Sequence, residues 1–432
     1  MRSERRYPLS NPKGFKARLL NWAGGSECFC WLDSNGHTDP LGRFDGLLGI
    51  GKAGELLSGA RGAFQQLSDF RENTGDWLLG YLAYDLKNDL EALESTNPDR
   101  LGFPDLFFFQ PLKLVEIVHN TAIFRYLPEV AGEIQGDWEA IGRTPESLPI
   151  KSGEPLRTRM GIFKEAYHRS AREILSAIHR GDIYEANFCQ EFFVEGARLD
   201  TPAVFRQLNS ISRPPFAAWL RFGTRHIFSA SPERYLTKRG QQVWSQPMKG
   251  TAPRHADTKM DGLLAQTLQS DPKERAENIM IADLVRNDLS RSALRGSVQV
   301  EALCELKTFA QVHQLVSTIR AQVPGSLDPV QLLRDSFPMG SMTGAPKISA
   351  MAYIERLESF KRGPYSGALG YFGPNGDFDF SVVIRSLLYD SEKRVASFPV
   401  GGALTAAADP DREYEECLLK ARAMRQVLEE QG

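Results

Sequence analysis

Lys164-Glu-Ala-Tyr-His-Arg-Ser-Ala-Arg-Glu-Ile-Leu-Ser-Ala-Ile-His-Arg180, Gly181 and Asp182-Ile-Tyr-Glu-Ala-Asn-Phe-Cys-Gln-Glu-Phe-Phe-Val194 form one continuous stretch in which the apolar pattern changes character. Before Gly181, residues Tyr167, Ala171, Ile174, Leu175 and Ile178 recur on one helical stripe, and Gly181 supplies a C-terminal stop. After it the pattern alternates as a strand does. Tyr184, Ala186, Phe188, Gln190 and Phe192 fall on one face; Glu185, Asn187, Cys189 and Glu191 fall on the other. A strand with so polar a face is either solvated or lines a site. Further helices are predicted over Asp271 to Asp288 and after Asp409-Pro410, where aspartate suits the cap and proline the first turn. Strand-like runs occur at Trp77 to Leu86 and Leu106 to Ile117. Helices and strands at irregular spacing predict an α+β fold rather than a doubly wound sheet.

The chain has 432 residues, 42% apolar and 25% charged, with a net charge of −2. That balance gives no electrostatic case for nucleic acid or an anionic membrane. No apolar run approaches the roughly 18–20 residues that a membrane span needs. Five scattered cysteines make a poor zinc site and suit a reduced, cytoplasmic protein. The turn-rich stretch Glu146 to Leu156 is the best seam. It predicts an N-terminal part, 1–150, and a catalytic part, 151–432, intertwined in one fold.

Gly46-Leu-Leu-Gly-Ile-Gly51-Lys52 fits the start of a phosphate-binding loop, and Gly49 to Gly54 fits G-x-G-x-x-G. The first match fails at Ala53, which has no hydroxyl for magnesium. One peptide fitting two incompatible motifs reads as a glycine-rich strand leading into a turn.

Four other groups are less easily explained by local structure. Glu233 follows the strand-like His226-Ile-Phe-Ser-Ala. Lys249 sits in a turn between Pro247-Met248 and Gly250-Thr251, where glycine allows close approach to a ligand. Glu274 and Glu277 share one helix, and Glu413 and Glu416 another, each pair at i, i+3. Two such pairs suit a hard cation; alternatively they are solvated faces with ion pairs such as Lys273–Glu277 and Glu416–Lys420. Gly401-Gly402-Ala403, placed between a strand and a capped helix, is either a simple turn or a set of backbone N–H groups for a carboxylate. Arg385, ending an apolar strand, suits a substrate carboxylate or a structural ion pair.

In this order the pieces resemble the chorismate-utilising enzymes, which include component I of anthranilate synthase and of aminodeoxychorismate synthase, and the isochorismate and salicylate synthases. The matching text is Gly181-Asp-Ile-Tyr-Glu-Ala-Asn, Ser231-Pro-Glu-Arg, Pro247-Met-Lys-Gly-Thr and the run Lys273 to Asp288. Thr343-Gly-Ala-Pro-Lys, Tyr365-Ser-Gly-Ala-Leu-Gly-Tyr, Ile384-Arg385 and Asp409-Pro410 to Glu416 complete it. The match covers residues 160–428, with a weaker echo at Gly80-Tyr-Leu-Ala-Tyr-Asp-Leu. It implies a component I-like fold, with large, mostly antiparallel sheets in a sandwich and helices outside.

The resemblance also implies roles. Glu233 is expected to be the general acid, and Glu277 and Glu416 the ligands of Mg2+, with Glu274 and Glu413 nearby. Gly250, Thr251, Tyr365, Arg385, Gly401, Gly402 and Ala403 are expected to hold chorismate, and Lys420 to balance the carboxylates. Lysine at position 249 marks the branch that makes aminodeoxychorismate for 4-aminobenzoate and folate. There it adds to carbon 2 and expels the carbon 4 hydroxyl before ammonia attacks carbon 4. Such a lysine must be neutral, and Glu233 must be protonated. Isochorismate synthases need lysine where this chain has Glu185, so water is disfavoured as nucleophile. No cysteine lies in a Gly-x-Cys-x-Gly elbow, which predicts a separate glutamine amidotransferase as the ammonia source. The alternatives are anthranilate synthase component I, which aminates carbon 2 with loss of pyruvate, and a non-catalytic chorismate-binding paralogue.

Two residues depart from the family pattern: Glu185 stands in place of glutamine, and Gln314 in place of histidine, with His313 beside it. Glu185 could repel substrate, hydrogen-bond ammonia or pair with Lys249. Trp31-Leu32-Asp33-Ser34 falls where some relatives begin a tryptophan site, and it also reads as plain core strand.

Overall fold

A computed structural model describes residues 1–147, 156–309 and 312–430. Among the described residues, twenty strands are joined by hydrogen bonding into one sheet, with the longer helices packed on it, a mixed α+β architecture. The Glu185–Glu195 strand pairs antiparallel with Val395–Thr405 over its whole length. Cys28–Asp33 pairs with Phe216–Phe222, and Leu78–Leu82 with Ala368–Phe372. These two ladders tie the first third of the chain to the rest. Residues 148–155, most of the expected seam, lie outside the described residues.

The sheet closes over its own face. Phe107 is three ladders away from Phe222, through Gly46–Ser58 and Cys28–Asp33. Three ladders across a flat sheet span about 14 Å, yet the two rings stack with centroids 4.2 Å apart. Both faces of the sheet are therefore buried. Along Cys28–Asp33, Cys28 and Cys30 join a core with Phe107, Phe222 and Tyr371, while Phe29 and Trp31 join a second core with residues of the outer helices. Alternation along the strand thus serves two cores rather than a core and solvent.

The helix before Gly181 spans Lys164–Arg180 and ends with Gly181 at φ +83°, as its sequence predicts. Asp271 and Asp409 cap Pro272–Ser290 and Pro410–Glu429 through side-chain bonds to backbone N–H groups. The run Trp77 to Leu86 is strand only over Leu78–Leu82 and then turns into a 3-10 helix, Tyr84–Asp89. Gly46 to Gly51 lies inside a long strand paired with Leu106–Val118, so it forms no phosphate loop. Gly80 explains its own presence: a Cβ there would lie 2.0 Å from the Phe107 carbonyl oxygen. Among the described residues, no helix is long and apolar enough to cross a membrane.

Candidate active site

The polar face of the Glu185–Glu195 strand is not solvated. Ten of its eleven residues are buried, and Asn187 opens onto a cavity of about 140 Å³. Around that cavity the fold gathers Glu233, Lys249, Gly250, Thr251, Glu274, Glu277, Tyr365, Arg385, Gly401, Ala403, Glu413, Glu416 and Lys420. Of the residues expected at the site, Gly402 alone is not among those lining it. Its Cβ direction points at Glu413, whose Oε2 would lie 3.1 Å away.

Lys249 is in a bulged strand rather than a turn. Met248 pairs with Val316 and Thr251 with Gln314, so one extra residue is accommodated on the Lys249 side. Gly250, at φ +87°, permits that bulge. Asn278 fixes it from the neighbouring helix by donating to the carbonyls of Lys249 (3.2 Å) and Leu315 (2.9 Å). The Lys249 ammonium lies 2.8 Å from Glu185 Oε1. The contact is an ion pair, and neither Glu185 oxygen has a further hydrogen-bond partner among the described residues. Burial disfavours the charged lysine, but Glu185 and Glu277 outweigh it and hold the group above its ordinary range. The neutral lysine expected from sequence is therefore not the resting state. Of the three readings of Glu185, the geometry selects pairing with Lys249.

Glu233 lines the same cavity. Burial pushes its carboxyl up to about 7, while Ser341 Oγ donates to Oε1 at 2.6 Å. Arg385 corrects another reading: it lies between two strands, at φ +52°, rather than ending one. Its guanidinium lines the cavity without a hydrogen bond or salt bridge to any described residue, so it is not a structural ion pair. Burial lowers its pKa from the usual value. Gly401 to Ala403 are likewise ladder residues of Val395–Thr405, not a turn. A Cβ on Gly401 would meet Phe188 O at 2.5 Å, so glycine here permits close strand pairing.

The four helical carboxylates do converge, and they also form the foreseen ion pairs. Lys273 lies 3.8 Å from Glu277 and 3.5 Å from Glu413; Lys420 lies 2.7 Å from Glu416 and donates to Gly401 O at 2.9 Å. Burial and the neighbouring Glu416 raise Glu413 to about 7, and burial raises Glu274 and Glu277. Lys420 holds Glu416 below its usual value. Among the described residues, no group of three or more His, Cys, Asp or Glu is gathered tightly enough to hold a metal alone. A magnesium ion needs only one or two carboxylates, with other oxygens completing its shell. Hard oxygen donors whose crowding is relieved by added positive charge fit such an ion.

Sequence reasoning missed several supports. Ser341 sits just before the Thr343 motif, where nothing local marks it as the partner of Glu233. Arg362 and Glu358 form a buried 2.5 Å pair, with Arg362 also donating to Asn187 O and Met342 O. That pair ties two walls of the cavity together. Gln314 lines the cavity and donates to Thr251 Oγ1, whereas His313 points to Asp261 at 3.0 Å and cannot replace it. Trp31 is core, while Leu32, Asp33 and Ser34 line a separate cavity of about 380 Å³.

This constellation, on this sheet, defines a chorismate-utilising protein, and the chain belongs to the family of chorismate binding enzymes, whose sequence profile matches residues 28–426. The likeness thus extends through the N-terminal third. The chain is similar to aminodeoxychorismate synthase component 1 of Klebsiella aerogenes, with 40% identity over 81% of this chain and 77% of the other. It is 36% identical to anthranilate synthase component 1 of Thermus thermophilus over 82% of this chain and 77% of that one. The chain spans half or less of two longer aminodeoxychorismate synthases from Streptomyces. Its fold matches anthranilate synthase component I of Streptococcus pneumoniae with a TM-score of 0.79 at 25% identity, covering 90% of this chain and 93% of that one.

Proposed function

We propose that this protein converts chorismate and ammonia to 4-amino-4-deoxychorismate, as component I of an aminodeoxychorismate synthase. The observation that carries the reading is Lys249, bulged into the same cavity as the protonatable Glu233 and the unpartnered Arg385. Arg385 offers a forked cation to the enolpyruvyl carboxylate, beside Tyr365 and the Gly401 backbone. Lys249 adds to carbon 2, the ring double bonds shift, and the carbon 4 hydroxyl leaves as water with the Glu233 proton. Ammonia then attacks carbon 4 and releases Lys249 from carbon 2. Glu277 and Glu416, with Glu274 and Glu413 beside them, would hold magnesium, which supplies positive charge to the ring carboxylate. A glutamine amidotransferase partner supplies the ammonia. Five free, buried thiols support a reducing compartment, such as the cytoplasm, for the reaction.

The test is incubation with chorismate, magnesium and ammonium, followed by mass and fluorescence analysis of the product. Aminodeoxychorismate is expected from the wild type, and none from Lys249→Ala, which should still bind chorismate. Anthranilate as the product would assign the chain to the anthranilate synthases, and near-normal turnover by Lys249→Ala would remove the covalent role.

A further inference from the structure

We infer that Glu185 is the base that frees the Lys249 amine, a step that rests on the reading of Lys249 as nucleophile. Lys249 Nζ and Glu185 Oε1 are 2.8 Å apart, in reach of direct proton transfer. Glu185 is fully buried, its own strand holds it by the Glu185↔Thr405 and Glu185↔Ala345 pairings, and beyond Lys249 neither carboxylate oxygen has a hydrogen-bond donor among the described residues. A carboxylate kept merely to anchor a lysine would gain from further donors, and a buried one left without them is costly. The remaining lone pairs of Glu185 are left free, and Oε1 lies against the ammonium whose proton must leave before Lys249 can attack. The other charges facing Lys249 are Glu233, Glu277 and Glu416. Glu233 must keep its proton for the leaving hydroxyl, and Glu277 and Glu416 serve the cation, which leaves Glu185 as the acceptor.

The proton balance closes. Glu185 takes a proton from the Lys249 ammonium, leaving a neutral amine and a carboxylic acid in place of an ion pair. Exclusion of water by bound substrate favours that exchange, because separated charges are the species that lose most on desolvation. The Lys249 nitrogen bonds to carbon 2 as the carbon 4–oxygen bond breaks, and Glu233 gives its proton to the departing hydroxyl. The adduct carries a secondary ammonium, balanced by the Glu233 carboxylate. Attack by ammonia at carbon 4 expels Lys249 as a neutral amine, the new ammonium returns a proton to Glu233, and Glu185 hands its proton back to Lys249.

The experiment follows the adduct itself. Full-length protein is mixed with chorismate and magnesium, without ammonia, and the Lys249 adduct (chorismate less one water) is timed by intact-protein mass spectrometry. Glu185→Gln should bind chorismate within about threefold of wild type but form the adduct about 100-fold more slowly at neutral pH. Its rate should climb with pH as solvent takes over deprotonation, where the wild-type rate stays flat. Glu185→Ala with added formate should regain at least about tenfold, which a purely structural carboxylate would not allow. Adduct formation by Glu185→Gln at the wild-type rate, or a slow Glu185→Ala that formate does not rescue, overturns the inference while leaving Lys249 as nucleophile. If the wild type forms no adduct and Lys249→Ala still makes product, the covalent reading itself fails.

Discussion

Ser341 Oγ donates a 2.6 Å hydrogen bond to Glu233 Oε1, with both residues buried in the cavity wall. A hydroxyl donor favours the ionised carboxylate, so it moderates the rise that burial imposes on Glu233. Ser341→Ala should therefore push Glu233 further above about 7. Losing a donor to a charged group is worth about 1.5 kcal/mol, or roughly one pH unit. The alkaline limb of the pH–kcat profile, set by loss of the acid's proton, should move up by that amount. A limb that stays in place would mean that Glu233 is not the proton donor.

Arg385 carries a half-buried charge with no hydrogen bond or salt bridge to any described residue. Its removal should separate binding from folding. Arg385→Ala should raise KM for chorismate by about 10- to 100-fold, the worth of a charge-assisted grip on a carboxylate. The ligand-free protein should unfold at a similar temperature, since no hydrogen-bonded partner is lost and only a longer-range attraction to Glu416 goes. A large loss of stability in thermal unfolding would reveal a structural role instead.

These residues also mark how far the sequence can be read. Asp271, Asp409 and Gly181 announce helix ends because a cap is a local bond, made within a few residues. Glu274, Glu277, Glu413 and Glu416 show their helical faces for the same reason. Lys249 looked like a turn residue because its strand character comes from Val316 and Gln314, far along the chain. Gly401 to Ala403 were misplaced likewise: their ladder partners are Cys189, Phe188 and Asn187. The Lys249–Glu185 pair and the Ser341–Glu233 bond join segments that only the closed sheet brings together. Local pattern carries capping and periodicity, whereas pairing across the sheet decides which polar groups meet.

Gly250 combines two constraints, and an alanine there should expose both. At φ +87° a side chain is strained, and its Cβ would sit 3.1 Å from Glu274 Oε2 and 3.2 Å from Leu315 Cδ1. Gly250→Ala should cost about 1–3 kcal/mol in denaturant unfolding. It should also lower kcat more than it raises KM, because relief of the strain shifts the bulge that aims Lys249. Wild-type stability would show that the bulge has room the geometry does not indicate.

Glu413 makes the cation site testable without turnover. Burial and Glu416 raise it from 4.5 to about 7 in the folded protein. A group whose folded pKa is raised binds its proton more tightly when folded. Its stabilising effect is complete below about 4.5 and is lost as pH climbs through about 7. Metal-free protein should therefore lose stability across that window, with Glu233 contributing over the same range. Glu413→Gln removes its share, so above pH 7 the metal-free variant should be more stable than wild type by about 2 kcal/mol, somewhat less than the pKa shift alone implies because the contact with Lys273 is lost. Magnesium, binding the ionised cluster, should reverse the order by raising the melting temperature of wild type more than that of the variant. Equal magnesium shifts in the two proteins would place the cation away from Glu413, and a variant less stable than wild type without metal would show that Lys273–Glu413 outweighs the crowding.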